Sequence, residues 1–260
     1  MRASVRRLLR SAWPPALVFA VLVLAWDLIA NAVHASLSLP GPWYVVTGSW
    51  RDRGDLAAAM WVTTQEALLG IALAVFCAVI LALAVDWSRA VRRSIYPLMV
   101  LSQTIPLIAL APVVVIWFGF GPAPKIAIVA LFTFFAVAVG TIQGLGSADP
   151  DTMSLLRTMG ASRAQILWRV RIPSALPQFF TGLKVGVTFS YVAAIFAEYV
   201  GATQGLGYYM STANQYFNTE LVFGAVIVSA LLTLALFGLV VALERAVIRW
   251  RPPAQVNARW

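Results

Sequence analysis

The sequence is short of the residues on which most catalytic and metal chemistry rests. It has one cysteine, Cys77, and one histidine, His34. A single thiol excludes a disulfide within the chain and any zinc site built on several cysteines. A single imidazole leaves little scope for His-metal or Ser-His chemistry. Charge is scarce as well: 11% of residues are Asp, Glu, Lys or Arg, against roughly 25% in an average soluble domain. No Gly-Lys dipeptide occurs, so the chain carries no phosphate-binding P-loop. The spacing offers no carboxylate pair, metal-ligand cluster or nucleophile–base set. Apolar residues, in contrast, make up 61% of the chain, and the mean hydropathy is +0.83. That balance excludes a disordered chain and points to an integral membrane protein rather than a soluble enzyme.

A bilayer core about 30 Å thick needs about 20 apolar residues per helix. Stretches 15–34, 61–85, 95–118, 124–143, 177–199 and 221–243 meet this. Short segments of alternating hydrophobicity are absent, which argues against a β-barrel. The first stretch follows MRASVRRLLR and ends near Val33-His34-Ala35. A cleaved signal peptide is the alternative there, but the run is long for one, and a retained helix is expected.

Basic residues set the orientation. Arg2, Arg6, Arg7 and Arg10 precede the first stretch, and Arg89, Arg92 and Arg93 lie between the second and third. Arg157, Arg163, Arg169 and Arg171 lie between the fourth and fifth, and Arg245, Arg249, Arg251 and Arg259 follow the sixth. The other loops hold Arg51, Arg53 and Lys125, while Lys184 falls inside the fifth stretch. Such asymmetry places both termini in the cytoplasm and requires an even number of spans. The net charge of +9 then marks cytoplasmic loops and not a nucleic-acid surface. The expected fold is an all-α membrane protein, one transmembrane domain over 1–260 with six transmembrane helices. It has a basic cytoplasmic N-terminus (1–14), a cytoplasmic loop (144–176) and a cytoplasmic C-terminal tail (246–260).

The 144–176 loop carries helix punctuation. Asp149 is placed to cap a helix with Pro150 at its first position, where the missing N–H is harmless. Asp151 in the first turn complements the dipole, and Gly160 is a natural stop. Ser162-Arg163-Ala164-Gln165 fits a capping box for a second helix, expected to end before Pro173. Leu155, Leu156 and Met159 share one face of the first helix. Such a face either packs on the chain's own spans or the lipid surface, or docks into a partner's groove; docking is the expectation.

Gly160 followed, nine residues on, by Val170-Arg171-Ile172-Pro173 resembles the EAA loop of ABC importer permeases. "Gly-Ala-Ser-Arg" at 160–163 and "Ile-Pro-Ser-Ala-Leu-Pro" at 172–177 extend the likeness. The naming triplet departs from the pattern: Ser154-Leu155-Leu156 stands where Glu-Ala-Ala is usual, leaving Arg157 or Asp151 to supply a polar contact. "SQTIPLIALAPVVVIWFGFGPAPKIAIVAL" (102–131), "GLGSADPD" (144–151) and "EYVGATQGLGYYM" (198–210) resemble the branch for nitrate, sulfonates, taurine and thiamine-precursor pyrimidines. "SQTIP", "LLRTMGAS" and "GLGYYM" look most like the pyrimidine-precursor and riboflavin-type permeases.

The resemblance implies a transmembrane subunit of the bacterial inner membrane. A second copy, as a homodimer, would complete the pathway. Two ATP-binding subunits would use ATP and magnesium, and a periplasmic or lipid-anchored solute-binding protein would deliver solute. This chain itself would be no enzyme and bind no cofactor. Asp151, Ser154, Leu155, Leu156, Arg157, Met159, Gly160, Ala161 and Pro173 would couple to the ATPase.

Ionisable groups in spans mark function by default. Asp27, Glu66 and Glu198 qualify, and Glu198 and Glu66 either line the entry or sit at the interface. Gln103, Thr104, Gln143, Thr188, Ser190 and Tyr191 are deeper polar groups that either touch solute or hold helices together. Of these, Gln103, Thr104, Ser190 and Tyr191 are taken with Glu198 as the pathway and gate set. Tyr208, Tyr209 and Tyr216 read as an aromatic belt or a docking surface for a binding protein. An apolar pathway suits a neutral ring, a pyrimidine thiamine precursor or a riboflavin-like solute. A sulfonate, taurine or nitrate is the alternative, with Lys184 as its one candidate cation. A secondary transporter is the rival of another class, although it would usually be longer and internally repeated.

Overall fold

The computed structural model describes residues 2–32, 39–87 and 107–249. Among the described residues every regular element is helical. In chain order these are α1 (Arg2–Ala32), α2 (Pro42–Arg51), α3 (Arg53–Trp87), α4 (Leu107–Phe118), α5 (Pro122–Gly146), α6 (Pro150–Thr158), α7 (Arg163–Ile166), a π-helical turn (Leu167–Arg171), α8 (Ile172–Gly201), α9 (Leu206–Gln215) and α10 (Thr219–Val247).

Arg53–Asp86, Pro122–Gly146, Arg163–Gly201 and Thr219–Val247 are long and apolar enough to cross a membrane, and Leu17–Ala32 and Ala109–Phe118 are shorter apolar helices. Each falls on one of the apolar stretches of the sequence; the rest of stretch 95–118 lies outside the described residues. Helix α3 begins at Arg53, ahead of the apolar run at 61. Apolarity marks the lipid-facing length, whereas Asp55 in the first turn and Ala57, Ala58 and Ala59 continue the helix beyond it. Between the long apolar helices lie the short helices α2 and α9.

The chain falls into two compact units. The larger comprises Ala59–Tyr208 and Ser229–Trp260. Its core joins α3, α5, α8 and α10 through Ala78, Ala82, Val137, Ala138, Leu183, Val187 and Val240. A second cluster joins α4, α5 and α8 through Ala111, Val114, Val129, Ala193 and Ala197. Small residues dominate because lipid supplies no hydrophobic drive between helices, and close backbone packing must replace it. At Gly140 a Cβ would sit 2.6 Å from the Gln178 carbonyl oxygen, so only glycine lets α5 and α8 approach this closely.

The smaller unit comprises Met1–Ala58 and Tyr209–Val228. In it Trp26 stacks on Phe223 with ring centroids 6.0 Å apart, and Val45 of α2 is buried. The Tyr209 hydroxyl donates to the Asp52 carboxylate. Burial, with Asp52, Asp55 and Glu220 nearby, pushes the Tyr209 phenol well above its ordinary range.

The break expected before Pro173 does not occur. Arg163–Gly201 is one helical run, and Ile172, the residue preceding the proline, is helical at φ −63° and ψ −49°. The reason is the π-turn. The Ile172 N–H bonds to the Leu167 carbonyl, five residues back. This wider turn relieves the crowding that a proline ring otherwise brings to a helix interior.

Candidate functional site

The loop 144–176 is built by local bonds. The Asp149 carboxylate accepts from the N–H groups of Asp151 and Thr152 and, at 2.6 Å, from the Thr152 hydroxyl. Those bonds, the Thr152 hydroxyl foremost, hold its carboxyl below the usual carboxylate range. Pro150 opens α6 as expected. The helix closes with Gly160 at φ +82°. There the Gly160 N–H bonds to Arg157 and the Ala161 N–H to Leu156, the Schellman pattern. Ser162 and Gln165 then cap each other reciprocally, as the sequence predicts.

No residue of α6 is buried. Leu155 is 62% exposed and Met159 74%, with Leu156 partly covered between them. Asp151, Ser154 and Arg157 are exposed on the same helix, Ala161 is half-buried, and Pro173 is half-buried in the first turn of α8. Eight of the nine loop residues singled out in the sequence thus lie on this capped, exposed helix or in its exit, while Pro173 lies beyond the π-turn in α8.

Behind this helix lies a cleft of about 1060 Å³, lined among others by Asp86, Leu145, Arg157, Arg163, Trp168 and Arg171. From the π-turn Arg171 donates to Asp86 at 2.6 Å and to the Leu145 carbonyl at 3.3 Å. In the sequence Arg171 was only one of many arginines marking the cytoplasmic side; nothing local reveals a partner 85 positions away.

The polar residues of the spans are mostly satisfied by the protein. Glu198 is 1% exposed, accepting from the Thr63 hydroxyl at 2.7 Å and from the Gly207 N–H. Thr63 in turn accepts from the Leu206 N–H at 2.8 Å. These are the first N–H groups of α9, which lack partners within their own helix. Gly205 ahead of them has no side chain to serve as a cap, so Glu198 and Thr63 do so from α8 and α3. A Cβ at Gly205 would overlap the Glu198 carboxyl. Tyr191 donates to Thr64 at 3.2 Å, and the buried Ser190 donates to the Val187 carbonyl. Gln103 and Thr104 lie outside the described residues.

Two further ion pairs were not legible in the sequence. Lys125, counted there as an outer-loop charge, is buried in α5 and pairs with Glu66 at 3.4 Å. Lys184 pairs with Glu244 at 2.9 Å. Asp27 accepts from Asn31 one turn on, while Gln143 and Thr188 are exposed.

A capped helix with an uncovered apolar face, joined by the short stop at Gly160–Ser162 to the long helical run Arg163–Gly201, can take force from outside the chain. The class this defines is a membrane transport subunit. Residues 70–249 match the binding-protein-dependent transport system inner membrane component, and the chain belongs to that family. It is similar to the formylaminopyrimidine transport permease protein ThiX of Halalkalibacterium halodurans, 36% identical over 91% of this chain and 95% of that one. The taurine transport system permease protein TauC of Escherichia coli is 32% identical over 91% and 89% respectively. In fold it is similar to a solved amino acid ABC transporter chain, with a TM-score of 0.61 over 78% of this chain and 97% of that one at 16% identity. The chain is an ABC importer permease subunit and not an enzyme; ATP hydrolysis belongs to a separate subunit.

Proposed function

We propose that this permease carries a neutral heteroaromatic solute inward, a pyrimidine thiamine precursor or a riboflavin-like ring, across a bacterial cytoplasmic membrane. The chain crosses six times with both termini inside as a single domain. Two copies form the pathway, and each engages one ATP-binding subunit, which uses ATP and magnesium. A periplasmic or lipid-anchored binding protein delivers the solute. Helix α6 is the docking element: Leu155, Leu156 and Met159 enter the partner's groove, with Asp151, Ser154 and Arg157 at its rim. Gly160, Ala161 and Pro173 fix its exit. Gln103, Thr104, Ser190, Tyr191 and Glu198 belong to the pathway and its gate.

The observation that carries the docking reading is the exposed pair Leu155 and Met159 on a helix capped at both ends. A helix fixed by its own caps, with its apolar side uncovered, is suited to helix-in-groove recognition. The solute reading rests on the likeness to ThiX. Lys184 weakens the alternative of a sulfonate, taurine or nitrate, because its ammonium is engaged by Glu244.

The test is ATPase activity of the co-expressed complex in lipid. Binding protein is added with formylaminopyrimidine, riboflavin, taurine, a sulfonate or nitrate. Stimulation by a ring solute alone is expected. Leu155→Asp with Leu156→Asp should abolish it and release the ATP-binding subunit. Stimulation by taurine or nitrate overturns the solute reading, and an unaffected double variant overturns the docking reading.

A further inference from the structure

We propose that Arg171 is a positioning residue of energy coupling: it ties the loop bearing α6 to the ends of α3 and α5, and that tie carries loop motion into the spans. The proposal rests on the reading of α6 as the docking helix.

Arg171 reaches two different helices. One bond meets the Asp86 carboxylate in the last turn of α3, and the other meets the carbonyl of Leu145, next to the last residue of α5. The guanidinium is a rigid fork, so two acceptors fix its orientation as a single acceptor would not. Both ends of the pair are largely covered, with side-chain exposures of 25% and 15%, which limits screening. The helix ends explain the choice of groups. Leu145 offers a carbonyl without a partner in its own helix, and a cation there complements the dipole. Asp86 is placed against its dipole at the C-terminal end of α3, where the Arg171 guanidinium offsets its charge.

The π-turn puts Arg171 in position. An α-helix turns about 100° per residue, so the extra residue of the turn sets the angle at which α7 and α6 leave α8. The cleft behind the loop separates much of it from the spans. Across that cleft Arg171 bridges the elements directly.

The experiment uses the complete complex in lipid nanodiscs, with Cys77→Ser removing the native thiol. Tyr208→Cys provides a reporter at a site 42% exposed, beyond the far end of α8. Labelling by a membrane-impermeant maleimide is read with and without ATP and orthovanadate. With Arg171 intact, nucleotide should change the labelling rate. Arg171→Met and Asp86→Asn should retain the ATP-binding subunit yet shrink that change at least about fivefold, the lower end of ordinary site-to-site coupling. The swap of Asp86→Arg with Arg171→Asp rebuilds the tie to α3 but not the bond to the Leu145 carbonyl, and should restore part of the change, which a merely structural role would not produce.

An undiminished change in the single variants overturns the proposal, and so does a swap that restores none of it. Absence of any nucleotide effect with Arg171 intact also overturns it, since there is then no motion to carry. If Arg171→Met does not accumulate, Arg171→Lys keeps the charge and loses the fork, and is read in the same way. Loss of both, with the swap, assigns Arg171 to folding alone. Retention of the ATP-binding subunit by Leu155→Asp with Leu156→Asp identifies the docking reading, and not the tie, as the one that fails.

Discussion

Glu198 can be reached by two arguments that predict different consequences of substitution. An acid in a span stands out in the sequence because charge is expensive there; the geometry adds that it holds the first turn of α9 together with Thr63. Thr63 gave no such signal, since a threonine in an apolar helix usually bonds its own backbone, as this one also does to Ala59. Thr63→Val keeps the shape but removes the donor to Glu198 and the acceptor for Leu206. Each buried group left unpaired costs about 1–3 kcal/mol. At about 2–4 °C per kcal/mol for a chain of this size, the melting temperature of the purified subunit should drop measurably. Glu198→Ala should lower it too, and Glu198→Gln, which still accepts from Gly207, should lower it less. Unchanged melting of Glu198→Ala with loss of transport would instead assign Glu198 to the solute pathway alone.

The elements show why parts of the loop could be read in advance and others could not. Asp149, Pro150, Gly160, Ser162 and Gln165 act within a turn of where they stand, so their types and spacing suffice to place both caps and the stop between them. Pro173 follows the same local rules and led to the wrong expectation. Its continuation depends on a π-turn, and Arg171 in that turn bonds partners on α3 and α5 that no local window contains. The isolated stop is directly testable. Gly160 sits at φ +82° with open space around it, so substitution there tests backbone strain without steric overlap. Gly160→Ala should destabilise the end of α6 by about 1–2 kcal/mol and weaken retention of the ATP-binding subunit on a column. Gly160→Asn, whose side chain tolerates the left-handed region, should retain it better. Equal retention by both variants would mean that the exit of α6 is not fixed by this residue.

At the scale of the molecule, orientation is the property most open to a direct check, and the structure sharpens the charge argument behind it. The outer side was assigned Arg51, Arg53 and Lys125, against four arginine clusters on the other. Lys125 now leaves that count, because it is buried and paired with Glu66 rather than free in a loop. Arg53 also bonds back to the Trp50 carbonyl and lies over the Trp50 ring, tethered beside an aromatic side chain of the kind that gathers at membrane interfaces. The cytoplasmic set includes Arg157 on α6 and Arg163 just after it, which an ATP-binding subunit would reach if α6 docks as proposed. An even number of spans is required if the clusters at both ends lie on that same side. Green fluorescent protein fused after Trp260 should therefore fluoresce, and alkaline phosphatase fused there should be inactive. Alkaline phosphatase fused within 202–205, between α8 and α9, should be active, since the loop there lies an odd number of spans from either end. An active phosphatase after Trp260 would move the C-terminal arginines outside and make the number of spans odd. It would also separate that tail from the side on which α6 is proposed to dock.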